Sequence, residues 1–369
     1  MNPINLLNPI KNLIIRGNMT KKFAINGYCN VGGQQRMVFE MLRELDKWIE
    51  PDLIQIVIPH NYIYKEHYSN IEIIRFGCGN KIFWIQTCFF LYLIKSHRIG
   101  INLYNACPVL RPDVMTIYDL TSEICKKEQC SNLHGKLSYL YSKSMRFRAI
   151  KKSKLIYTAS NTSKKELMDY YHVDGKQFVV LEDGWQHMLR IREDDSIFFR
   201  YPQLIKNKYY LSLGSLLPHK NFKWVIQVSK RNKNQMFVIV GEKVGYKKAV
   251  EKHKSDNLVY LGKITDGEMK ALMKNCKAFI HPALSEGFGI PPLEALSVGA
   301  PIIVSNTSCL PEIYENSAHY INPKLYNVDL DNLINEPVES ADKILNKYSW
   351  KKVAEKFYNS LIKTFECEK

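Results

Sequence analysis

The chain has 369 residues, 46% of them hydrophobic, and carries a formal net charge of +16. That length exceeds one ordinary core and predicts two domains. Nine cysteines form no CxxC pair and have no histidine at zinc spacing, which argues against a small zinc-bound or disulfide-stapled class and suits a reducing compartment.

The first 20 residues lack the apolar core and cleavage site of a secretory signal, so a cytoplasmic setting is expected. Residues 1–18 read as a possible upstream extension, with a fresh start at Met19. A strand over Phe23–Gly27 follows, then Gly32-Gly33, a pair suited to a tight turn or to a loop packed against a ligand. Met37, Val38, Met41, Leu42 and Leu45 recur at helical spacing. Residues 52–59 and 71–77 are strands. The apolar run Ile82–Ile94 stands between Lys81 and Lys95. Its thirteen residues are fewer than the roughly 20 needed to cross a bilayer, so it is a buried helix or one lying in a membrane interface.

Two more strands cover 100–106 and 113–120, the second ending in Asp119. That carboxylate either accepts a proton or an acceptor hydroxyl, or caps the segment after it. From Lys126 to Lys154 there are nine basic residues against one acid, Glu128, interleaved with Tyr139, Tyr141, Met145 and Phe147. This pattern fits a membrane surface, RNA contact, or an ordinary helix packed on the core. Residues 155–160 are a strand, Asn161 or Ser163 caps a helix, and 178–184 closes the first half.

The second half repeats the alternation, with strands at 209–214, 236–241, 258–262, in the Cys276–Leu284 run, at 300–306 and near 318–322. Helices are expected near 221–231, 245–253, 266–275 and 292–299. After the first of these strands, Gly214 and Ser215 leave room for a ligand, and Lys220 could neutralise a diphosphate. SEGFGIPPLEAL is a glycine loop running into a helix that tolerates Pro291 and Pro292 only at its start. Such a junction favours phosphate. The carboxylates of Glu286 and Glu294, eight positions apart, can accept hydrogen bonds from sugar hydroxyls, although either could be solvated or serve the helix dipole. Asp329 and Asp331 read as helix capping, and His187, His219 and His281 share no ligand spacing, so no metal site is expected.

Two successive α/β runs predict two doubly wound, Rossmann-like domains facing across a cleft, with a C-terminal helix crossing back to the first. The expected division is 1–185, 186–345 and 346–369. Because ligands sit outside the carboxyl ends of such strands, Gly33, Asp119, Gly214–Lys220 and the Glu286 loop should surround one cleft.

The block Leu258–Ile313, with SEGFGIPPLEAL at its centre, resembles the retaining, group 1/family 4 glycosyltransferases of GT-B architecture and their E-x7-E signature. YYLSLGSLLPHKN, YTASNTSKKEL and YSWKKVAEKF are similar to further segments of that family. The resemblance implies that Glu286 contacts the donor sugar near the reacting carbon and Glu294 holds the ribose. It implies that Gly287, Phe288 and Gly289 offer backbone N–H groups, that Lys220 stabilises the leaving diphosphate, and that Gly33 lies beneath it. Many relatives carry an arginine near the Ser215 position; none is present here, and His219 and Arg36 are the candidates to replace it. The His-Asp of many relatives is Tyr118-Asp119 here. The expected activity is metal-independent transfer of a hexose, mannose from GDP-mannose first, to a lipid-linked saccharide in bacterial O-antigen, capsule or exopolysaccharide assembly. No cofactor beyond the nucleotide sugar and no nucleic-acid partner are expected, and the protein should sit peripherally on the inner membrane face. A nucleotide-sugar epimerase or hydrolase, or a non-enzymatic polyanion or membrane binder, are the competing readings.

Overall fold

The computed structural model describes residues 21–28, 33–124, 133–214, 217–241 and 255–366. Ser215, Gly32, the helix expected at 245–253 and the extension 1–18 lie outside them.

Strands β1 (Phe23–Asn26), β2 (Ile54–Ile58), β3 (Glu72–Arg75), β4 (Ile99–Asn102), β5 (Val114–Thr116), β6 (Leu155–Thr158) and β7 (Phe178–Val180) form one parallel sheet, in the order β3-β2-β1-β4-β5-β6-β7. Strands β8 (Tyr209–Leu213), β9 (Met236–Val240), β10 (Leu258–Gly262), β11 (Ala278–His281), β12 (Ile302–Ser305) and β13 (His319–Ile321) form a second, ordered β10-β9-β8-β11-β12-β13. Every neighbouring pair is parallel. The central strands are buried along their whole length, which is why they read as continuous apolar runs rather than alternating ones.

In each sheet the first strand is central and the winding reverses beside it, between β1 and β4 and between β8 and β11. The loops leaving the carboxyl ends at such a reversal diverge and open a crevice. In the second sheet those loops are 214–221 and 282–289, so topology alone brings Lys220 and Glu286 together.

Helix α1 (Gly33–Asp46) buries Met37, Val38, Met41, Leu42 and Leu45, as its spacing predicts. The apolar run after β3 is one continuous helix, α2, built of Lys81–Trp84, a π-helical segment Ile85–Phe89, and Phe90–Ser96. It buries Trp84, Ile85, Phe89 and Leu93 while Ile82, Phe83, Leu91 and Ile94 face solvent. The basic, aromatic segment forms α3 (Leu133–Lys152). Helix α4 (Asn161–Tyr171) is capped by Ser160, whose side chain accepts from the Ser163 amide. The expected Asn161 or Ser163 cap is thereby corrected, because Asn161 already begins the helix. The remaining helices used below are α5 (Asp266–Lys274), α6 (Ile290–Ser297), α7 (Leu310–Tyr314) and α8 (Trp350–Phe365).

Helix α8 returns to the first sheet, where Phe365 meets Phe23 edge-on at 5.8 Å and Tyr358 meets Trp48 at 5.0 Å. The Tyr157 hydroxyl lies 2.8 Å from Ser360 Oγ. Both chain crossings between the sheets touch, since a β-carbon on Gly184 would fall 2.4 Å from the Trp350 amide nitrogen. Among the described residues no helix is long and apolar enough to cross a membrane.

Candidate active site

The loop from β11 to α6 is pinned at both ends. The Ser308 hydroxyl donates to the Glu286 carbonyl at 2.9 Å and accepts from its amide at 3.2 Å. Gly289 caps α6 with φ +87°, a left-handed conformation that suits glycine, and a β-carbon there would meet Leu310 at 2.9 Å. The Tyr314 hydroxyl donates to the Gly289 carbonyl. The Phe288 ring turns into the core against Tyr348, with centroids 5.1 Å apart.

Asn221 donates through its side chain to the carbonyls of Pro282 and Pro323, at 3.0 and 2.9 Å, and the Leu284 amide donates to the His219 carbonyl at 2.7 Å. These bonds lace the turn after β8 to the Glu286 loop. The Lys220 ammonium consequently lies 2.6 Å from Glu286 Oε1, and His281 Nε2 lies 2.9 Å from the same oxygen. An ionised carboxylate only accepts, so His281 Nε2 carries a proton. Burial alone would raise the Glu286 pKa, but Lys220 and His281 outweigh it and hold the group far below the usual carboxylate range.

Glu294, the fifth residue of α6 and so past the first turn expected for it, lies 2.8 Å from His187 Nε2. Trp350 Nε1 donates to His187 Nδ1 at 3.1 Å, which leaves Nε2 as the protonated nitrogen facing the carboxylate. Arg36 of α1 reaches across the cleft, with its guanidinium 3.6 Å from Glu294 and 2.9 Å from Asp266. Burial opposes ionisation of Glu294; His187 and Arg36 reverse that and lower its pKa.

The first domain closes the other side. A β-carbon on Gly287 would fall 3.0 Å from Asp119 Oδ2 and 3.3 Å from Ala159. Asp119 lies beyond the end of β5, which is shorter than expected, and its Oδ1 accepts from the Thr121 amide at 2.8 Å. The capping role and the place at the cleft therefore coexist. Burial raises the Asp119 pKa; the bonds to Thr121 oppose the rise and Glu286 adds to it. Nearby, the Glu312 carboxylate of α7 accepts from the amides of Asn161 and Thr162 at 2.9 and 2.7 Å, and from both side chains, so it caps α4 from the opposite domain.

Two adjoining cavities of about 670 and 740 Å³ open between the sheets and share Gly33, Arg36, Leu213, Lys263, Asp266 and Glu294. Gly214 and Gly241 line the first, and a β-carbon on Gly241 would fall 1.9 Å from the Gly214 carbonyl oxygen, so two strand-end loops approach closely there. Lys220 and Glu286 are not among the residues lining either cavity; they sit beside the first, where the β-carbon position of Gly214 is 3.7 Å from Lys220 Cγ. Gly33 lies opposite, 3.9 Å by the same measure from Ile290, so the start of α1 faces the start of α6. A further cavity of about 610 Å³, lined by Lys208, Lys233 and Asn257, lies at the amino ends of β8 to β10, away from these groups.

Residues 194–345 match the family model for glycosyl transferases group 1. The chain carries a group 1 glycosyl transferase domain. The chain is similar over 242 residues, at 26% identity, to the O-antigen chain mannosyltransferase RfbU of Salmonella typhimurium, covering 63% of each chain. It is 24% identical over 237 residues to the O-antigen chain mannosyltransferase B of Escherichia coli, covering 61% of this chain and 60% of that one. The match thus spans about three fifths of these relatives' length. Sucrose-phosphate synthase from Thermosynechococcus elongatus shares the GT-B fold, with a TM-score of 0.69 at 15% identity over 94% of this chain and 100% of that one. Anabaena Alr3699/HepE, solved in complex with UDP and glucose, gives 0.68 at 14% identity over 92% and 99%.

Gly33, Gly214 and Glu294 thus line the cavities, while Lys220 and Glu286 pair beside Gly214, Gly287 lies against Asp119, and Gly289 starts α6 next to His281. The sequence reading gave no role to His187, His281, Asp266 or Glu312. His281 was within reach of inspection, since it ends a strand five residues before Glu286. His187 carried no local signal.

Proposed function

We propose that the chain is a retaining glycosyltransferase that moves a hexose, mannose from GDP-mannose first, from a nucleotide sugar to a hydroxyl of a lipid-linked saccharide in O-antigen or related polysaccharide assembly. The observation that carries this reading is the Lys220–Glu286–His281 group at the mouth of α6, with Glu294 one helix turn behind it and Asp119 opposite.

The chemistry follows from the charges. Breaking the sugar–phosphate bond develops negative charge on the diphosphate, and Lys220 together with the amino end of α6 lies where that charge would gather. These groups supply the positive charge asked of a leaving-group clamp, so the scheme uses no metal. Glu286, kept ionised, accepts from donor-sugar hydroxyls, and Glu294 from the ribose. Positioning and leaving-group stabilisation then lower the barrier, with no covalent nucleophile assigned. Retention is read from the family resemblance and the mannose donor from the two mannosyltransferase relatives.

The lipid-linked acceptor places the protein peripherally at the cytoplasmic face of the membrane. The first domain suits this: on α3, Leu133, Leu137, Leu140 and Phe147 are exposed beside Lys136, Lys143, Arg148 and Lys151. Helix α2, joined to α3 by a 2.7 Å bond from Gln86 to the Tyr141 hydroxyl, exposes Ile82, Phe83, Leu91 and Ile94. An anionic bilayer complements such an apolar and basic surface.

The deciding experiment combines thermal stabilisation by a panel of nucleotide sugars with transfer to lipid-extract acceptors, resolving the anomer of the product. Stabilisation by GDP-mannose and an α-linked product are expected, since α is the donor's own configuration. An inverted product sinks the retaining mechanism, and absence of stabilisation by every donor sinks the reading as a whole.

A further inference from the structure

Arg36 sits one turn into α1, where two helix starts converge, and its side chain lines both cleft cavities. Its head group is held by two acids of the other domain, at 2.9 Å from Asp266 and 3.6 Å from Glu294. Asp266 is 64% exposed, and an ion pair so open to solvent contributes little to stability. The pair's consequence is geometric: it fixes a guanidinium at the mouth of the cavity.

Charge accounting says what that guanidinium is for. A nucleoside diphosphate brings at least two negative charges. Lys220, in contact with Glu286 at 2.6 Å, supplies one positive charge, so a second cation is needed to match the diphosphate. His219, the other candidate for a second clamp, is buried, and burial followed by the adjacent Lys220 lowers its pKa, which leaves the ring neutral. Burial acts to lower the Arg36 pKa as well, but Glu294 and Asp266 outweigh it, so its charge is secure. A guanidinium has five N–H donors, and contacts with Asp266 and Glu294 leave others to reach phosphate oxygens in its fork geometry.

On the reading that the cleft takes a nucleotide sugar, we propose that Arg36 is a second ligand of the donor diphosphate, contributed by the first domain and oriented for that purpose by Asp266 and Glu294. Donor binding then bridges the domains through a phosphate, so a ligand lacking phosphate leaves this link unmade. Glu294 touches both the positioned arginine and, on the same reading, the ribose, which couples sugar and phosphate recognition.

The test is binding, with purified full-length chain, of GDP and UDP against guanosine and uridine, for wild type, Arg36→Met, Arg36→Lys and Asp266→Asn, at low and high salt. Loss of a charge-assisted bond to phosphate should weaken the diphosphate about 10- to 100-fold in R36M, with nucleoside affinity changed less than about threefold. R36K should recover part of the loss, and D266N should show a smaller loss in the same direction. Equal weakening of diphosphate and nucleoside in R36M and R36K alike, or no weakening of either, overturns the proposal. Wild-type protein that binds no nucleoside diphosphate at all overturns the donor reading, and this inference with it, whereas a diphosphate-binding wild type with an indifferent R36M overturns the inference alone.

Discussion

Lys220 Nζ and Glu286 Oε1 lie 2.6 Å apart although 66 positions separate them in the chain. The contact crosses the point where the second sheet reverses its winding, between the loops that follow β8 and β11. On the proposed reading it sets a cation where the leaving group would depart beside an acid for the sugar, and Lys220 with His281 keeps Glu286 ionised against its burial.

Lys220→Met should therefore lower kcat by about 100- to 1,000-fold, the usual loss when one preorganised electrostatic contact to developing charge is removed. Single-turnover transfer measures it. A drop in affinity for donor with kcat intact would show that Lys220 binds the ground state and transition state alike.

His187→Phe should act on binding. It removes the proton donor facing Glu294 and strands the indole N–H of Trp350. KM for the donor should rise about 10-fold or more, from loss of a hydrogen bond to a charged group, with kcat changed far less. Steady-state kinetics at saturating acceptor separates the two parameters, and an unchanged KM would contradict the role given to Glu294.

Asp119→Asn should stabilise the fold while reducing turnover. The folded-state pKa of Asp119 is raised by burial, so ionisation costs more in the folded chain than in the unfolded one. The wild type therefore loses stability as pH rises from the ordinary aspartate value of 3.8 through the raised folded value. Asparagine keeps the cap on Thr121 without the charge. The Tm advantage of D119N should be absent at low pH, grow across that window and then level off; a constant or reversed difference would refute the burial argument.

Leu137 and Leu140, 59% and 60% exposed on α3, should carry membrane affinity. Replacing both by serine should lower partition onto vesicles containing anionic lipid by about tenfold or more, given roughly 1.5–3 kcal/mol for burying each leucine side chain. Partition should also fall with salt, because Lys136 and Lys143 flank the same face. Sedimentation with vesicles checks both, and equal partition of wild type and double variant would remove the bilayer from the proposal.

The sequence alone determined the alternation of strands and helices, the two-sheet fold, and the glycine loop with Glu286 running into a helix with Glu294. These features are written locally: a parallel strand buried on both faces is an unbroken apolar run, and a loop that needs a left-handed residue shows its glycine. It also offered Arg36 and His219 as equal candidates for one task. Tertiary structure decided between partners. His187 meets Glu294 across 107 positions and Arg36 meets Asp266 across 230, and no periodicity records such a pairing. Only the winding of the sheets and the crossing of the chain at Gly184 and Trp350 put those side chains within reach. Protonation followed from that placement, because the charge a buried group holds depends on which neighbours the fold brings to it.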